Sequence, residues 1–370
     1  MCYHGALSMY KDMLIGDGVL HSLNNSDENL RNEEAERLME NIVELQKGQA
    51  LEPELAHSRE QWCRNWTADE IEEATFLESD VDFGVYHSTP IYDLFHDGYS
   101  SLETGLKLKE NNPKRVKLLG DVDPLGKDAI DEMERQVEEY GVDGFKTYPT
   151  YYRNDGRVRE LRLDDDLLPI VEKAHELGIK HIGSHKVLPL GPVGIHNVDP
   201  NDVAEIAAMY PDIQFELLHP DIHYIHEIKP MTANFDNIWL NLELSLGILA
   251  LQPRRFAEVL GELVLHGDPS KIIWATGVPL VHAQQYIEAF WEYQFPEDMQ
   301  EEYGYPELTD EMKRGILGEN LIDLYDWDAD ELREHVQNDK WAERLEEEGR
   351  PEPWSCAGID VEPEPAAGDD

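Results

Sequence analysis

Positive charge is scarce in this sequence: 31 Lys and Arg stand against 78 Asp and Glu, a net charge of −47. Gripping a phosphate backbone takes a cluster of basic side chains, and none of useful size exists, which excludes nucleic acid as a partner. An anionic membrane surface is excluded on the same ground. Cysteine is rarer still. Cys2, Cys63 and Cys356 are odd in number and share no metal-ligand spacing, so a disulfide framework and a cysteine zinc site are ruled out and free thiols are expected. No apolar run approaches the ~18 residues of a membrane span. The opening MCYHGALSMYKDMLIG has no basic stretch leading into an apolar one, and a cytoplasmic protein is expected.

What the chain does have is carboxylate along its whole length, combined with an apolar fraction of 41% that includes 8 Trp and 16 Tyr. A chain this apolar can fill a core despite its charge, so it is globular rather than disordered. Negative charge spread so evenly suits solubility in concentrated salt, where repulsion is screened over short distances and hydrated carboxylates keep the surface wet. A halophilic protein is expected.

Short apolar runs alternate with amphipathic ones. The strand candidates are DMLIGDGVLH (12–21), DVDFGVYHS (80–88), RVKLLGDV (115–122), DGFKTYP (143–149), KHIGSH (180–185), DIQFELLH (212–219), NIWLNLEL (237–244) and KIIWATG (271–277). Helix-period segments such as 167–177, 202–210 and 254–265 lie between them, the pattern of an α/β chain with a parallel sheet. Eight such units in this length make a (β/α)8 TIM barrel. A doubly wound sheet is the alternative, but GDGVLH lacks the third glycine that would open its first helix. Residues 22–79, with the charged helical run EEAERLMENIVELQK, form an insertion after strand 1, placed over the barrel mouth. The barrel domain is expected over 1–340. Residues 341–370, closing in VEPEPAAGDD, are expected to be an acidic, disordered tail.

In a barrel enzyme, functional side chains gather at the C-terminal ends of the strands. Here those ends carry His21, His87, Asp121 with Asp123, Lys146 with Tyr148, His185, His219 and Glu243. One histidine at a strand end is ordinarily a hydrogen-bonded wall residue. Four at separate ends of one barrel point to a functional mouth, since converging neutral imidazoles suit zinc, iron or manganese. His223 and His226 in HPDIHYIHEI have helical spacing and are placed outside any ligand set. Lys146 and Tyr148 either orient a substrate carboxylate or phenolic oxygen, or Lys146 pairs internally with Asp121 or Asp123.

GFKTYP around Lys146, SHK around His185, ELLHP around His219, KIIWATGVPLVH and the closing ILGENLIDLYDWD occur in an order that resembles one family. It is the amidohydrolase superfamily, specifically the amidohydrolase-2 family of metal-dependent TIM-barrel proteins that includes aminocarboxymuconate-semialdehyde decarboxylase and related aromatic-acid decarboxylases. The likeness spans residues 12–328. It implies a divalent metal ion, zinc or manganese, held by His21, His185 and His219. It also implies a further strand 1 histidine where this chain has Val19, and a strand 8 aspartate where it has Gly277. The missing aspartate's proton chemistry then falls to His87, Glu243, Asp17 or Asp121. The catalytic candidates are His87, Glu243 and Lys146.

Two functions remain open. The first is a metal-dependent hydrolase or non-oxidative decarboxylase of a small carboxylated substrate, aromatic acids included; decarboxylation suits the depleted site better, because it needs no activated water. The second is a catalytically inactive barrel that binds a small molecule or a partner. A small-molecule substrate is the expected partner. A homodimer is left open, YIEAFWEYQF (286–295) being either helix packing or a subunit contact.

Folding should require molar salt, because repulsion among the excess carboxylates is screened only as the Debye length shrinks to ~3 Å at 1 M. Circular dichroism across a KCl series should show an unfolding midpoint that rises with salt. A midpoint indifferent to salt overturns the expectation.

Overall fold

The computed structural model describes residues 9–148, 150–152, 158–189 and 193–358. Eight parallel strands follow one another in chain order around a barrel: β1 (Gly16–Leu20), β2 (Phe83–His87), β3 (Val116–Asp121), β4 (Gly144–Thr147), β5 (His181–Ser184), β6 (Gln214–Leu218), β7 (Ile238–Asn241) and β8 (Ile272–Ile273). Each lies inside the segment whose apolar run predicts it. An antiparallel hairpin, Thr150–Tyr152 with Val158–Glu160, follows β4.

The ring closes between β8 and β1 through backbone bonds. Gly18 N donates to Trp274 O at 3.0 Å, Gly277 N to Val19 O at 3.1 Å and His21 N to Val278 O at 3.0 Å. Asp17 braces this seam. Its carboxylate accepts from Val19 N at 3.1 Å, from Thr276 N at 3.0 Å and from the Thr276 hydroxyl.

Helices Leu102–Asn111, Leu168–Glu176, Asn201–Met209, Ile225–Asn234, Pro253–His266 and Ala283–Glu292 run between and after the strands. In Pro253–His266, Phe256, Leu260, Leu263 and Val264 recur at three- and four-residue spacing and are buried, as an apolar stripe against a barrel requires. Tyr286, Ile287 and Phe290 of the aromatic-rich stretch are likewise core residues, so helix packing accounts for them.

The insertion divides in two. Helix Glu33–Gln49 is capped by Asn32, whose side chain accepts from Ala35 N at 3.0 Å, and turns Leu38, Met39, Ile42 and Val43 inward. Ile42 and Leu45 of this helix reach the barrel mouth. The later helix Ala68–Phe76 instead packs against Leu102–Asn111 on the barrel's flank.

The tail expected from residue 341 is corrected here. Lys340–Glu348 is a helix capped by Asp339, and Trp354 is buried. The Glu78 carboxylate accepts from Trp354 N at 2.7 Å, Cys356 N at 2.7 Å and the Ser355 hydroxyl at 2.9 Å. Trp354 Nε1 donates to Leu55 O at 3.0 Å, and its ring packs on His57 and His282. Charge and proline content describe a segment's average, whereas a single large ring in an aromatic socket is enough to dock it. Residues 359–370 and Cys2 lie outside the described residues.

Trp354→Ala should cost about 3–5 kcal/mol, the usual penalty for emptying a buried indole site. Denaturant unfolding at fixed KCl measures it, and a loss below ~1 kcal/mol would mean the segment is not docked in solution.

Candidate active site

The C-terminal strand ends open into a cavity with about 560 Å³ of empty space, its mouth included. His21, Lys146, His185, His219 and Glu243 form its polar side. Leu23, Ile42 and Leu45 from the insertion, with Leu244 and Leu280, form an apolar side. The structure thus brings together five of the six site residues expected from the sequence. The sixth, His87, is buried beneath them at the end of β2.

Glu243, His219 and His185 form a hydrogen-bonded chain. His219 Nδ1 lies 2.8 Å from both the Glu243 carbonyl oxygen and the Glu243 Oε2, two acceptors, so this nitrogen carries a proton. His219 Nε2 lies 2.9 Å from His185 Nδ1, a gap that one shared proton fills. His185 Nε2 is buried without a partner among the described residues. The Tyr148 ring stacks on His185 with centroids 5.0 Å apart, and its hydroxyl donates to Thr89 Oγ1 at 3.1 Å. That stack fixes the ring at the far end of the chain from Glu243.

Lys146 is 1% exposed. Among the described residues no carboxylate lies within 4.0 Å of its ammonium, and its hydrogen-bond partner is His87 Nδ1 at 3.4 Å. The internal pair with Asp121 or Asp123 is therefore not formed. Asp121 instead accepts from the Tyr92 hydroxyl at 3.4 Å. His21 Nδ1 donates to the His87 carbonyl at 2.9 Å.

Burial sets the charges. It lowers the His21 imidazolium to about 4, with Lys146 adding to the effect and Glu243 opposing it. It holds His87 and His185 well below the ordinary imidazole range, so these rings are neutral at pH 7. Burial also lowers the Lys146 ammonium, to about 8, against the pull of Glu243 and Glu216, and leaves it a cation at neutral pH. For Glu243 burial acts upward, but the charge and hydrogen bond of His219, then His21 and Lys146, outweigh it and keep the carboxyl below its ordinary value.

Glu243 also explains the glycine on the neighbouring strand. Gly277 has φ +66°, and a Cβ there would stand 2.6 Å from Glu243 Oε1. The β7 carboxylate occupies the space that a side chain after β8 would need. Val19, at the strand 1 position in question, is fully buried against Leu218 and Ala275.

His223, in the short turn Ile222–Tyr224, and His226, in helix Ile225–Asn234, are both exposed, His223 bonded to Asp221 at 2.7 Å, and neither lines the cavity. Tyr99 does line it, with its hydroxyl buried and without a partner among the described residues. Nothing in the loop sequence HDGYSS signals that role.

A family model described as amidohydrolase matches residues 106–327, more than half of the chain. The chain belongs to the amidohydrolase family. No curated protein matches this amidohydrolase by sequence. Among solved structures, an uncharacterised TIM-barrel protein from Bordetella bronchiseptica is 17% identical with a TM-score of 0.58, over 85% of this chain and 99% of that one. A 2,6-dihydroxybenzoate decarboxylase from Rhizobium is 12% identical with a TM-score of 0.44, over 69% of this chain and 86% of that one. A 5-carboxyvanillate decarboxylase from Novosphingobium aromaticivorans, complexed with manganese, is 13% identical with a TM-score of 0.48, over 85% and 96%. At 17% identity the likeness to the Bordetella protein is one of fold.

The donor set of this amidohydrolase does not fit the metal that the family implies. Among the described residues no group of three or more His, Cys, Asp or Glu side chains is arranged to hold an ion. The converging nitrogens of His185 and His219 are spent on each other, and His21 does not complete a set with them.

A pH signature follows from Asp17, whose carboxyl is raised to about 7 by burial against the hydrogen bonds from Thr276 and Val19. The folded state keeps a proton that the unfolded chain has released above the ordinary carboxylate value, so this stability is lost as pH rises toward 7. Asp82 and Asp121, raised by burial to about 7 and about 6, act in the same direction. At fixed KCl these carboxyls should pull the thermal midpoint down across about pH 4 to 7, opposed by the buried histidines, whose unfolded forms lose their protons near 6.5. Asp17→Asn should flatten part of that slope; a slope identical to the parent's would assign it elsewhere.

Proposed function

We propose that this chain is an enzyme acting on a small carboxylated substrate, as a non-oxidative decarboxylase in the first instance and a hydrolase in the second. One observation carries the reading: a buried lysine without a carboxylate partner faces the same cavity as a Glu243–His219–His185 proton chain. An ammonium taken out of water without a counter-ion is costly, and a substrate carboxylate relieves that cost.

Decarboxylation breaks the bond between the carboxyl carbon and its neighbour, leaves the electron pair on the neighbour and requires a proton there. The chain is built to move one. With the shared proton on His219, His185 carries its own on Nε2 and can donate it; with the shared proton on His185, Nε2 is a free base. Ionised Glu243 stabilises the imidazolium of His219 in the first state. Tyr148 holds the His185 ring at a fixed angle, with an interplanar angle of 20°. The apolar side from the insertion limits water around the developing carbanion. The proton consumed at carbon is replaced from solvent through the same chain.

A panel of aromatic and aliphatic carboxylic acids, followed by carbon-13 NMR, tests the proposal. Release of carbon dioxide from one member is expected, with kcat reduced by roughly 100-fold or more in Glu243→Gln, the range typical of lost proton transfer. Acids that bind and are never converted would make the chain a binding protein instead.

A further inference from the structure

We propose that Lys146, rather than a divalent metal ion, supplies the positive charge of this site, and that the cavity takes a monocarboxylate with an apolar body. The inference rests on the reading of the cavity as a substrate site. Three features of the donor set point to it. His185 Nδ1 and His219 Nε2 are hydrogen-bonded to each other at 2.9 Å, so binding an ion there means breaking that bond and expelling its proton. The Glu243 carboxylate is already engaged, bonded through Oε2 to His219 Nδ1 at 2.8 Å. Beside them Val19, Leu218 and Ala275 are fully buried against one another and offer no side-chain ligand atom.

What remains in the cavity with a fixed positive charge is Lys146. Its backbone is held in β4 by pairing with Asp121 on β3 and Gly183 on β5, so the ammonium is presented from a rigid strand. Its ammonium lies 5.6 Å from the centre of the Tyr148 ring, the ring that stacks on His185. A carboxylate on Lys146 thereby lies beside the proton chain. The opposite side offers Leu23, Ile42, Leu45 and Leu280 and, among the described lining residues, no second cation. One charge is matched and a second would be buried unpaired.

The test uses full-length protein held at one KCl concentration, dialysed against EDTA, assayed for metal by mass spectrometry and titrated by calorimetry with benzoate and with isophthalate. Benzoate should bind equally well before and after chelation, with no gain from added Mn²⁺ or Zn²⁺. Isophthalate should bind at least about tenfold more weakly, because its second carboxylate finds no partner. Lys146→Met should weaken benzoate binding roughly 10- to 100-fold, the effect of losing a charged hydrogen-bond partner, and Lys146→Arg should retain part of it. Should Lys146→Met fail to fold, as circular dichroism will tell, the chelation series and Lys146→Arg still decide. Binding that is lost with EDTA and restored by Mn²⁺ overturns the proposal. So does unchanged binding in Lys146→Met, or a parent protein that binds no benzoate. Turnover plays no part in this readout: a protein that binds benzoate in EDTA yet converts no acid loses the enzymatic reading and keeps this one.

Discussion

One buried ammonium governs the mouth of this barrel. Lys146 lies in β4 at 1% exposure, where desolvating a charge without a partner costs several kcal/mol, and the surrounding groups are adjusted to it. Its field helps keep His21, His87 and His185 neutral. It also helps keep Glu243 ionised. An ionised Glu243 fixes the proton on His219 Nδ1, and that proton fixes what His219 and His185 can exchange. Burial sets the charge state of the site, and a lysine that makes no ion pair with any described carboxylate reinforces it.

The strand 7 carboxylate and the strand 8 glycine are two halves of one arrangement. The backbone at Gly277 takes a left-handed turn, φ +66°, that only glycine adopts without strain. Glu243 fills the space so left open. Glu243 lines the cavity and bonds through its carboxylate to the imidazole of His219. Asp17 stabilises the same turn from below by holding Thr276, which is why it is a brace and not one of the cavity's lining groups.

How far the sequence could be read depends on what kind of information each feature needs. Parallel strands buried on both faces are continuous apolar runs, so all eight are visible as such. β8 marks the limit: only Ile272 and Ile273 pair with β7, since Trp274 N turns aside to Ile316 O at 3.0 Å. The convergence of His21, Lys146, His185, His219 and Glu243 is readable because strand ends of one barrel share a mouth. Which of His87, Glu243, Asp17 and Asp121 bonds to His219 is not readable, because it depends on barrel register and side-chain direction. Tyr99 and Trp354 arrive from segments with no periodicity, and only tertiary packing places them.

The docking of Trp354 has a consequence for how the molecule is made. Its indole donates to Leu55 O across 299 residues of sequence and packs into a socket formed by His57, Trp66 and His282. During synthesis from the N-terminus, the insertion that carries most of this socket emerges early and stands open while the seven strands after β1 are translated. The part of the insertion around Leu55, His57 and Trp66 can reach its final packing only after residue 354 has left the ribosome. In a newly made chain all eight strands therefore exist before the ring that fills this socket.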